Sequence, residues 1–287
     1  MKATEFTDPI TTVPVSVVIP CYRHAETLDR AIASVAVQSV RPIELIVVND
    51  GGGKWVDDIL QKLQLKFGAD WLLIVSLPEN VGAGEARNAG WQIARGEFVA
   101  FLDADDAWHP RKIEIQYDYM KTHPDVAVSG HRNRRGDTNA CWDSYELYGP
   151  NVDIKLGQLL RANQFITPSV MLKRDLAIRF AAKQRHMEDF QLWLTISAKG
   201  WRIVKLGSEL ACVYKFPYGE SGLSAQLMRM EIGELRAYLN ICRVKPLLLP
   251  GMLLLMPYSL GKFLRRLFLV QWRIIAPQRN SDKLIVK

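Results

Sequence analysis

Along the first hundred positions, apolar residues follow two alternating patterns. Short β-branched runs at 14–20 (PVSVVIP), 43–48 (IELIVV), 71–77 and 98–102 read as strands. The first is bounded by prolines, and the second and last are continuous enough to be buried on both faces. Between the first two, Leu28, Ile32 and Val35 recur at helical spacing within 25–38, and further helices are expected at 55–65 and across 85–90. Strands alternating with helices predict an α/β fold, a doubly wound, mostly parallel sheet with helices on both faces. Ligands gather at the carboxyl ends of the strands in such sheets. Tyr22, Asp50, Asn80, Arg87 and the run Asp103-Ala104-Asp105-Asp106 all fall at or just beyond those ends.

Past position 110 the pattern changes. A helix is expected at 112–121 and a short strand at 126–129. The polar and aromatic stretch 130–150 reads as a loop whose Arg132, Arg134 and Arg135 either meet a phosphate-bearing partner or stand in solvent. A strand is entered through 167–171, and a helix running to Lys199 carries Glu188 and Asp189 at its start. The tail differs in kind. Residues 246–261 are uncharged, but they fall short of the ~20 residues a spanning helix needs and are interrupted by Pro250, Gly251 and Pro257. In 262–275, Lys262, Arg265, Arg266 and Arg273 fall within roughly 100° of arc at 100° per residue, opposite Phe263, Leu264, Leu267 and Phe268. That is the pattern of an interfacial helix on an anionic membrane surface. A helix folded back on the domain, and a re-entrant or dimerising hairpin over 246–261, stay open beside it.

Composition narrows the choice of partner. The 287 residues are 48% hydrophobic, an ordinary globular value, and their net charge of +7 points to an anionic partner. Basic residues are not interleaved with aromatics along a face, so no nucleic-acid partner is expected. The four cysteines (Cys21, Cys141, Cys212, Cys242) form no CxxC pair, which argues against zinc and against a disulfide framework and fits a reducing cytosol. No apolar stretch of signal-peptide type is seen in the first twelve positions.

The strand at 98–102 ends in three carboxylates within four positions. Like charges this close disfavour one another's ionisation, and a hard divalent cation relieves them. Taken alone, a solvated acidic turn with Asp106 capping a helix near Pro110 accounts for the run as well. Other nucleotide chemistries drop out. A dinucleotide fold needs GxGxxG after the first strand, where this chain has PCYRHAE. Gly82-Ala83-Gly84 comes late, with Arg87 at the third glycine position, and there is no GxxxxGK[ST]. What remains suits a nucleotide diphosphate bound through a metal.

Four pieces in order, VSVVIPCYRHAETLDRAIASVAVQS, IELIVVNDGG, NVGAGEARNAGWQIARGEFVAFLDADDAWHP and HMEDFQLWL, resemble a family 2 glycosyltransferase of the GT-A fold, over roughly residues 14–200. The resemblance implies an inverting transferase using a nucleotide-sugar donor with Mn2+ or Mg2+. It implies donor contacts from Pro20, Tyr22, Glu26, Asp50, Arg87 and Asp103, metal ligation by Asp105 with Asp103, and Asp189 as general base beside Glu188. Trp108, Thr167 and Trp193 become acceptor-side candidates. Relatives carry a later Tyr-Arg…His segment. Here 213–224 has no His, and Lys215 stands where the arginine would be, as a phosphate candidate.

On that footing residues 1–110 are the nucleotide-sugar half, 111–225 the acceptor and catalytic-base half, and 226–287 a helical membrane-associating tail. The acceptor is a glycan or a lipid-linked sugar in cell-surface polysaccharide or lipopolysaccharide synthesis, and the expected location is cytoplasmic, peripheral on the inner face of the membrane. A homodimer through the tail stays open. The rivals are an inactive nucleotide-sugar-binding scaffold and a sugar nucleotidyltransferase.

Overall fold

The computed structural model describes residues 11–23, 25–136, 149–214 and 226–281. In chain order the first half holds β1 (Thr12–Cys21), α1 (Ala25–Ala36), β2 (Arg41–Asp50), α2 (Lys54–Phe67), β3 (Leu72–Leu77), α3 (Ala83–Ile93), β4 (Phe98–Phe101) and β5 (Ala107–Trp108). The second half holds α4 (Lys112–Thr122), β6 (Val126–Arg135), β7 (Val152–Asp153), α5 (Leu156–Arg161), β8 (Met171–Lys173), α6 (Glu188–Ala198), β9 (Arg202–Val213), α7 (Leu227–Val244) and α8 (Leu249–Ser281). One sheet runs β3-β2-β1-β4-β8-β6-β9-β5, with β7 on β9. Its first four strands are parallel. β8 is antiparallel to β4 and β6, and β9 is parallel to β6 but antiparallel to β5 and β7. The mostly parallel half is thus followed by a mixed one.

The continuous apolar runs fill two cores because strand side chains alternate in direction. From β1, Val15, Val17 and Ile19 join a core with Leu28, Ile32, Leu60 and Ile113 of α1, α2 and α4. Val18 points the other way, to a core with Trp91, Leu159, Phe190 and Tyr238 of α3, α5, α6 and α7. One buried polar residue interrupts the apolar run of β2. Glu44 accepts from the Ser16 hydroxyl at 2.6 Å, from Arg95 N at 2.6 Å and from Arg95 Nε at 2.8 Å. It pins the exit of α3 to the strands, and with these partners its burial is tolerated.

Several expectations change. β6 continues to Arg135 because its second half pairs in parallel with β9. Arg132, Arg134 and Arg135 are therefore strand residues, and Arg134 Nε reaches Glu209 Oε2 at 3.4 Å. Asp106 is buried and does not cap α4, whose N-cap is Arg111. Cys212 is disulfide-bonded, which the scattered thiols did not predict, while Cys21 and Cys242 are free and buried.

The tail is continuous helix across Pro250, Gly251 and Pro257, with a 54° bend between Pro246–Met252 and Leu254–Val270. Pro250 is accommodated because it lies in the first turn, where no backbone donor is required. No single helix among the described residues is long and apolar enough to cross a membrane. The basic arc also changes. Lys262 binds Glu234, and Arg266 binds Glu234 at 3.0 Å and Glu231 at 3.8 Å, so both cations face α7 and not the solvent. Arg265 is exposed, and the Arg273 side chain lies outside the described residues.

Candidate active site

The carboxyl ends of β1, β2 and β4 open onto one acidic centre. Asp50, the last residue of β2, is buried and already engaged. Its carboxylate accepts from Val81 N at 2.8 Å, Asn80 Nδ2 at 2.8 Å and Gly82 N at 3.0 Å. Gly51 makes the approach possible. Its φ is +72°, and a Cβ there would lie 2.3 Å from Asn80 N. Asp50 thus sets the entry to α3. Three of about four acceptor positions on a carboxylate are used, which leaves one for the expected contact with a base. Asn80 is a turn residue, as its type suggests.

The acidic loop after β4 is held from α1. Thr27 Oγ1 donates to Ala104 O at 2.8 Å, and Arg30 Nη2 donates to Asp105 O at 2.6 Å. One and two turns on, Ser34 Oγ accepts from Trp108 N at 3.1 Å, and Gln38 both donates to His109 O at 2.8 Å and accepts from Ile113 N at 2.9 Å. Thr27, Arg30 and Ser34 repeat at helical spacing on one face of α1, and Gln38 continues the series two residues past its end. The polar spacing is present in the sequence, but it is masked there by the stronger apolar period of Leu28, Ile32 and Val35. Glu26, in the first turn of α1, is exposed. Pro20, one residue before the end of β1, is half-buried, and Tyr22 carries the Arg23 guanidinium over its ring at 4.9 Å.

Arg87 occupies the middle of the centre. Only 5% of its side chain is exposed, and it donates to Asp103 Oδ1 at 2.6 Å and to Glu188 Oε1 at 3.3 Å. Burial alone would lower its pKa, but Asp103, Glu188 and Asp189 outweigh burial and raise it. The cation bridges the two acidic pieces and is largely sequestered from solvent, whereas the family resemblance had it facing the base or diphosphate of the donor. The rest of α3 holds the chain that leads to Glu188. Asn88 exchanges hydrogen bonds with Phe180 N and O at 3.1 and 2.9 Å, Glu85 accepts from Lys183 N at 2.6 Å, and Arg185 donates to Asn80 at 2.7 Å. The motif ENVGAGEARNA is therefore a platform for residues 180–188.

Glu188 and Asp189 open α6 behind Met187, whose backbone is left-handed at φ 58°. Glu188 is buried, and burial first, then the adjacent Asp189, push its carboxyl up to about 7 against the pull of Arg87. Asp189 is half-buried. Its Oδ1 accepts from Phe190 N at 2.7 Å and its Oδ2 from Asn163 Nδ2 at 3.2 Å, while burial raises its pKa above the usual carboxylate value. Asn163 was not singled out from the sequence, and nothing in its spacing marks it.

Three acceptor-side candidates belong to the interior. Trp193 is fully buried, edge-on between Phe165 and Phe180, so it is core and not an acceptor floor. Trp108 is buried with Nε1 donating to Pro168 O at 2.8 Å, which clasps the 3-10 turn Thr167–Ser169. Thr167 is buried in that turn. Lys215 lies outside the described residues.

Among the described residues no group of three or more His, Cys, Asp or Glu side chains is arranged to hold a metal ion by itself. The metal candidates are Asp103, 32% exposed with Oδ2 accepting no hydrogen bond among those residues, and half-buried Asp105. Mg2+ and Mn2+ are commonly held by one or two carboxylates, with water and substrate phosphate completing the shell. The donor set fits a cation shared with a phosphorylated ligand.

A mixed sheet with carboxylates and a buried arginine gathered beyond the ends of its parallel strands is a fold of the GT-A type. The chain belongs to glycosyl transferase family 2, whose family model matches residues 16–179. It is 31% identical over 196 residues to the amylovoran biosynthesis glycosyltransferase AmsE of Erwinia amylovora, covering 67% of this chain and 72% of that one. It is 27% identical to the Escherichia coli UDP-Glc:alpha-D-GlcNAc-diphosphoundecaprenol beta-1,3-glucosyltransferase WfaP, covering 65% and 71%. The chain spans 45% of the length of an uncharacterized Nostoc glycosyltransferase that it matches at 34% identity over half of its own length (51%). Among solved structures it is similar to the Pyrobaculum calidifontis mannosyltransferase PcManGT in complex with GDP-Man and Mn2+ (TM-score 0.62, 16% identity, covering 98% and 82%). It is also similar to S. aureus TarS in complex with UDP (TM-score 0.59, 20% identity, covering 79% and 66%). At these identities the two structures carry the fold. The relatives with named roles work in polysaccharide and lipid-linked sugar biosynthesis.

Proposed function

We propose that this chain is an inverting, metal-dependent glycosyltransferase. It moves a sugar from a nucleotide-diphosphate donor, with uridine as the nucleotide, to a hydroxyl of a glycan or lipid-linked acceptor in cell-surface polysaccharide or lipopolysaccharide assembly. The observation that carries this reading is the single buried guanidinium of Arg87, which joins Asp103 at the donor side to Glu188 at the base side. In the proposed reaction Asp189 takes the proton from the acceptor hydroxyl. The freed oxygen attacks the anomeric carbon from the face opposite the diphosphate, and the bond to the diphosphate oxygen breaks with inversion. A raised pKa suits Asp189 to proton transfer near neutrality. Asp103 and Asp105 would hold Mn2+ or Mg2+, which when bound neutralises charge on the leaving diphosphate. The uridine assignment and the lipid-diphosphate acceptor draw on the printed activity of WfaP, and the site of action is the cytoplasmic face of the membrane.

The test is hydrolysis of UDP-, GDP- and dTDP-sugars by the purified chain with and without Mn2+ or Mg2+, beside Asp105→Ala and Asp189→Asn. Metal-dependent release of one nucleotide, abolished by Asp105→Ala, is expected. Asp189→Asn should retain donor binding and lose turnover by at least about a hundredfold, the usual contribution of a general base. Failure of every donor to bind with any metal would remove the enzyme reading.

A further inference from the structure

Helix α8 is amphipathic in the inverted sense. On its Leu254–Val270 arm, polar and cationic side chains point inward. Ser259 donates to Glu231 at 2.7 Å, Lys262 binds Glu234, and Arg266 binds both acids. Tyr238 of α7 lies 2.7 Å from Glu234, completing a buried network between the two helices. Glu234 stays below its ordinary pKa, because burial, which raises it, is outweighed by Lys262, Tyr238 and Arg266. With this face fixed, Leu254, Met256, Tyr258, Leu260, Leu264, Phe268 and Leu269 are left exposed. At 100° per residue they sweep roughly 200° of the helix. Leu247 and Leu249, 88% and 60% exposed, extend the patch toward the bend. The helix carries no acidic residue over its whole length. The exposed cations nearest this face are Arg265, which falls within the sweep between Leu254 and Tyr258 at 100° per residue, and Arg243 and Lys245, at the end of α7 and in the link to α8.

We propose that this apolar face docks into an anionic lipid bilayer, with Arg243, Lys245 and Arg265 at the headgroups and the Glu231/Glu234–Lys262/Arg266 network fixing the depth and angle of the helix. An exposed apolar face of this width marks an interaction surface, since soluble monomers rarely leave large contiguous apolar patches uncovered. Exposed cations within and before it, with no acid on the helix, complement anionic headgroups. Contact is therefore through the hydrophobic side of the helix, and two of the cations that would make a basic-face contact are already spent inside the protein. The inference deepens the proposed site of action but does not rest on the transferase chemistry.

The experiment is co-sedimentation of the purified full chain with vesicles of phosphatidylcholine alone and of phosphatidylcholine with phosphatidylglycerol. It compares wild type, Leu264→Glu, Phe268→Glu, the pair Lys245→Ala/Arg265→Ala, and Leu65→Glu on α2 as an exposed-leucine control. Each α8 glutamate should lower partitioning by about tenfold or more, on the scale of losing one buried large apolar side chain. The alanine pair should lower it on anionic vesicles only, and Leu65→Glu should change nothing. Donor hydrolysis in lipid-free buffer, compared between wild type and Leu264→Glu, separates this inference from the catalytic reading. Equal partitioning of wild type and both α8 variants overturns the proposal. So does a wild-type dimer by light scattering that Leu264→Glu converts to monomer with vesicle binding unchanged, because the face would then belong to a second copy of the chain.

Discussion

Arg87 and Glu188, 101 positions apart in sequence, meet at 3.3 Å through a guanidinium that also holds Asp103 at 2.6 Å. One buried cation thus couples the acidic loop after β4 to the Glu–Asp pair on α6. Removing one partner from such a cluster leaves charge uncompensated in the interior, which typically costs about 3–5 kcal/mol. Arg87→Ala should therefore lower the urea midpoint strongly. Arg87→Lys keeps the charge but not the two-pronged geometry, and it should fall between the two in stability. An Arg87→Ala protein as stable as wild type would mean that the bridge contributes nothing to the fold.

Glu188 links stability to pH in the opposite sense from an ordinary surface carboxylate. Its folded pKa, about 7, is above its usual value. The stability it contributes is present at acid pH and is lost as pH rises through about 7. Glu188→Gln cannot ionise. Its stability relative to wild type should therefore be higher at about pH 8 than near pH 4, on top of a pH-independent offset from the changed contact with Arg87. Chemical melts at the two pH values give the difference directly, and a gap independent of pH contradicts the assignment. Since Glu188 sits in the proposed reaction centre, the gain should come with reduced donor turnover, as stabilised active sites commonly show.

The two halves of the site differed in how far the sequence revealed them. Asp103 and Arg87 were placed near the site by the alternation of strands and helices, which brings strand ends to one side of the sheet, whereas Glu188 and Asp189, at the start of α6, were marked out by the family resemblance and not by local pattern. The partners were not legible. Arg87 satisfying Glu188, Asn163 meeting Asp189 and the Glu234 network closing on Lys262 each join segments far apart in the chain, and local pattern carries no record of who faces whom. The short strands β5 and β7 escaped for a related reason. Strands of two residues exist only through their pairing with longer neighbours. Trp108 misled because an aromatic beside a motif is equally suited to a core, and Trp193, open between core and acceptor floor in the sequence, is core as well.

The α1 stripe makes a separable prediction. Arg30 reaches the Asp105 carbonyl at 2.6 Å and lies 3.7 Å over the Tyr214 ring. It touches the backbone of the acidic loop and not the folding core, so Arg30→Ala should loosen the loop more than the protein. The expected result is an apparent metal or donor affinity weaker by about tenfold, the equivalent of one charge-assisted hydrogen bond, with the thermal midpoint shifted by only a few degrees. Thr27→Val, which removes a neutral bond to Ala104 O, should show the same pattern with a smaller effect. Isothermal titration with Mn2+ and UDP measures it. Unchanged affinity in both variants would assign the stripe to folding alone.

Acid stability provides the last test. His131 is buried on β6, with Nδ1 2.7 Å from Arg132 O and no partner on Nε2 among the described residues. Burial, then the nearby Lys112, bring its pKa down to about 3, and His109 is lowered to about 4 by burial and Arg111. Lys112 is itself buried over the Trp108 ring at 3.7 Å, and burial drives its pKa down. The sign follows from the depressed values. A neutral imidazole in the fold contributes stability that is complete above the unfolded pKa near 6.5 and is lost as pH falls toward about 3. Between about pH 6 and pH 4 the unfolded chain binds one more proton at His131 than the native protein does. That corresponds to a slope near 1.4 kcal/mol per pH unit. His131→Asn should lower stability at neutral pH, through the lost packing and the changed bond to Arg132. Its stability should also fall less steeply with acid than wild type by up to about that slope. Urea midpoints across the range separate the two effects, because packing shifts every point equally whereas the proton linkage changes only the gradient. Parallel curves for wild type and His131→Asn would mean that His131 is already charged in the native protein, and that Lys112 and not His131 is the group whose burial keeps this corner of the sheet neutral.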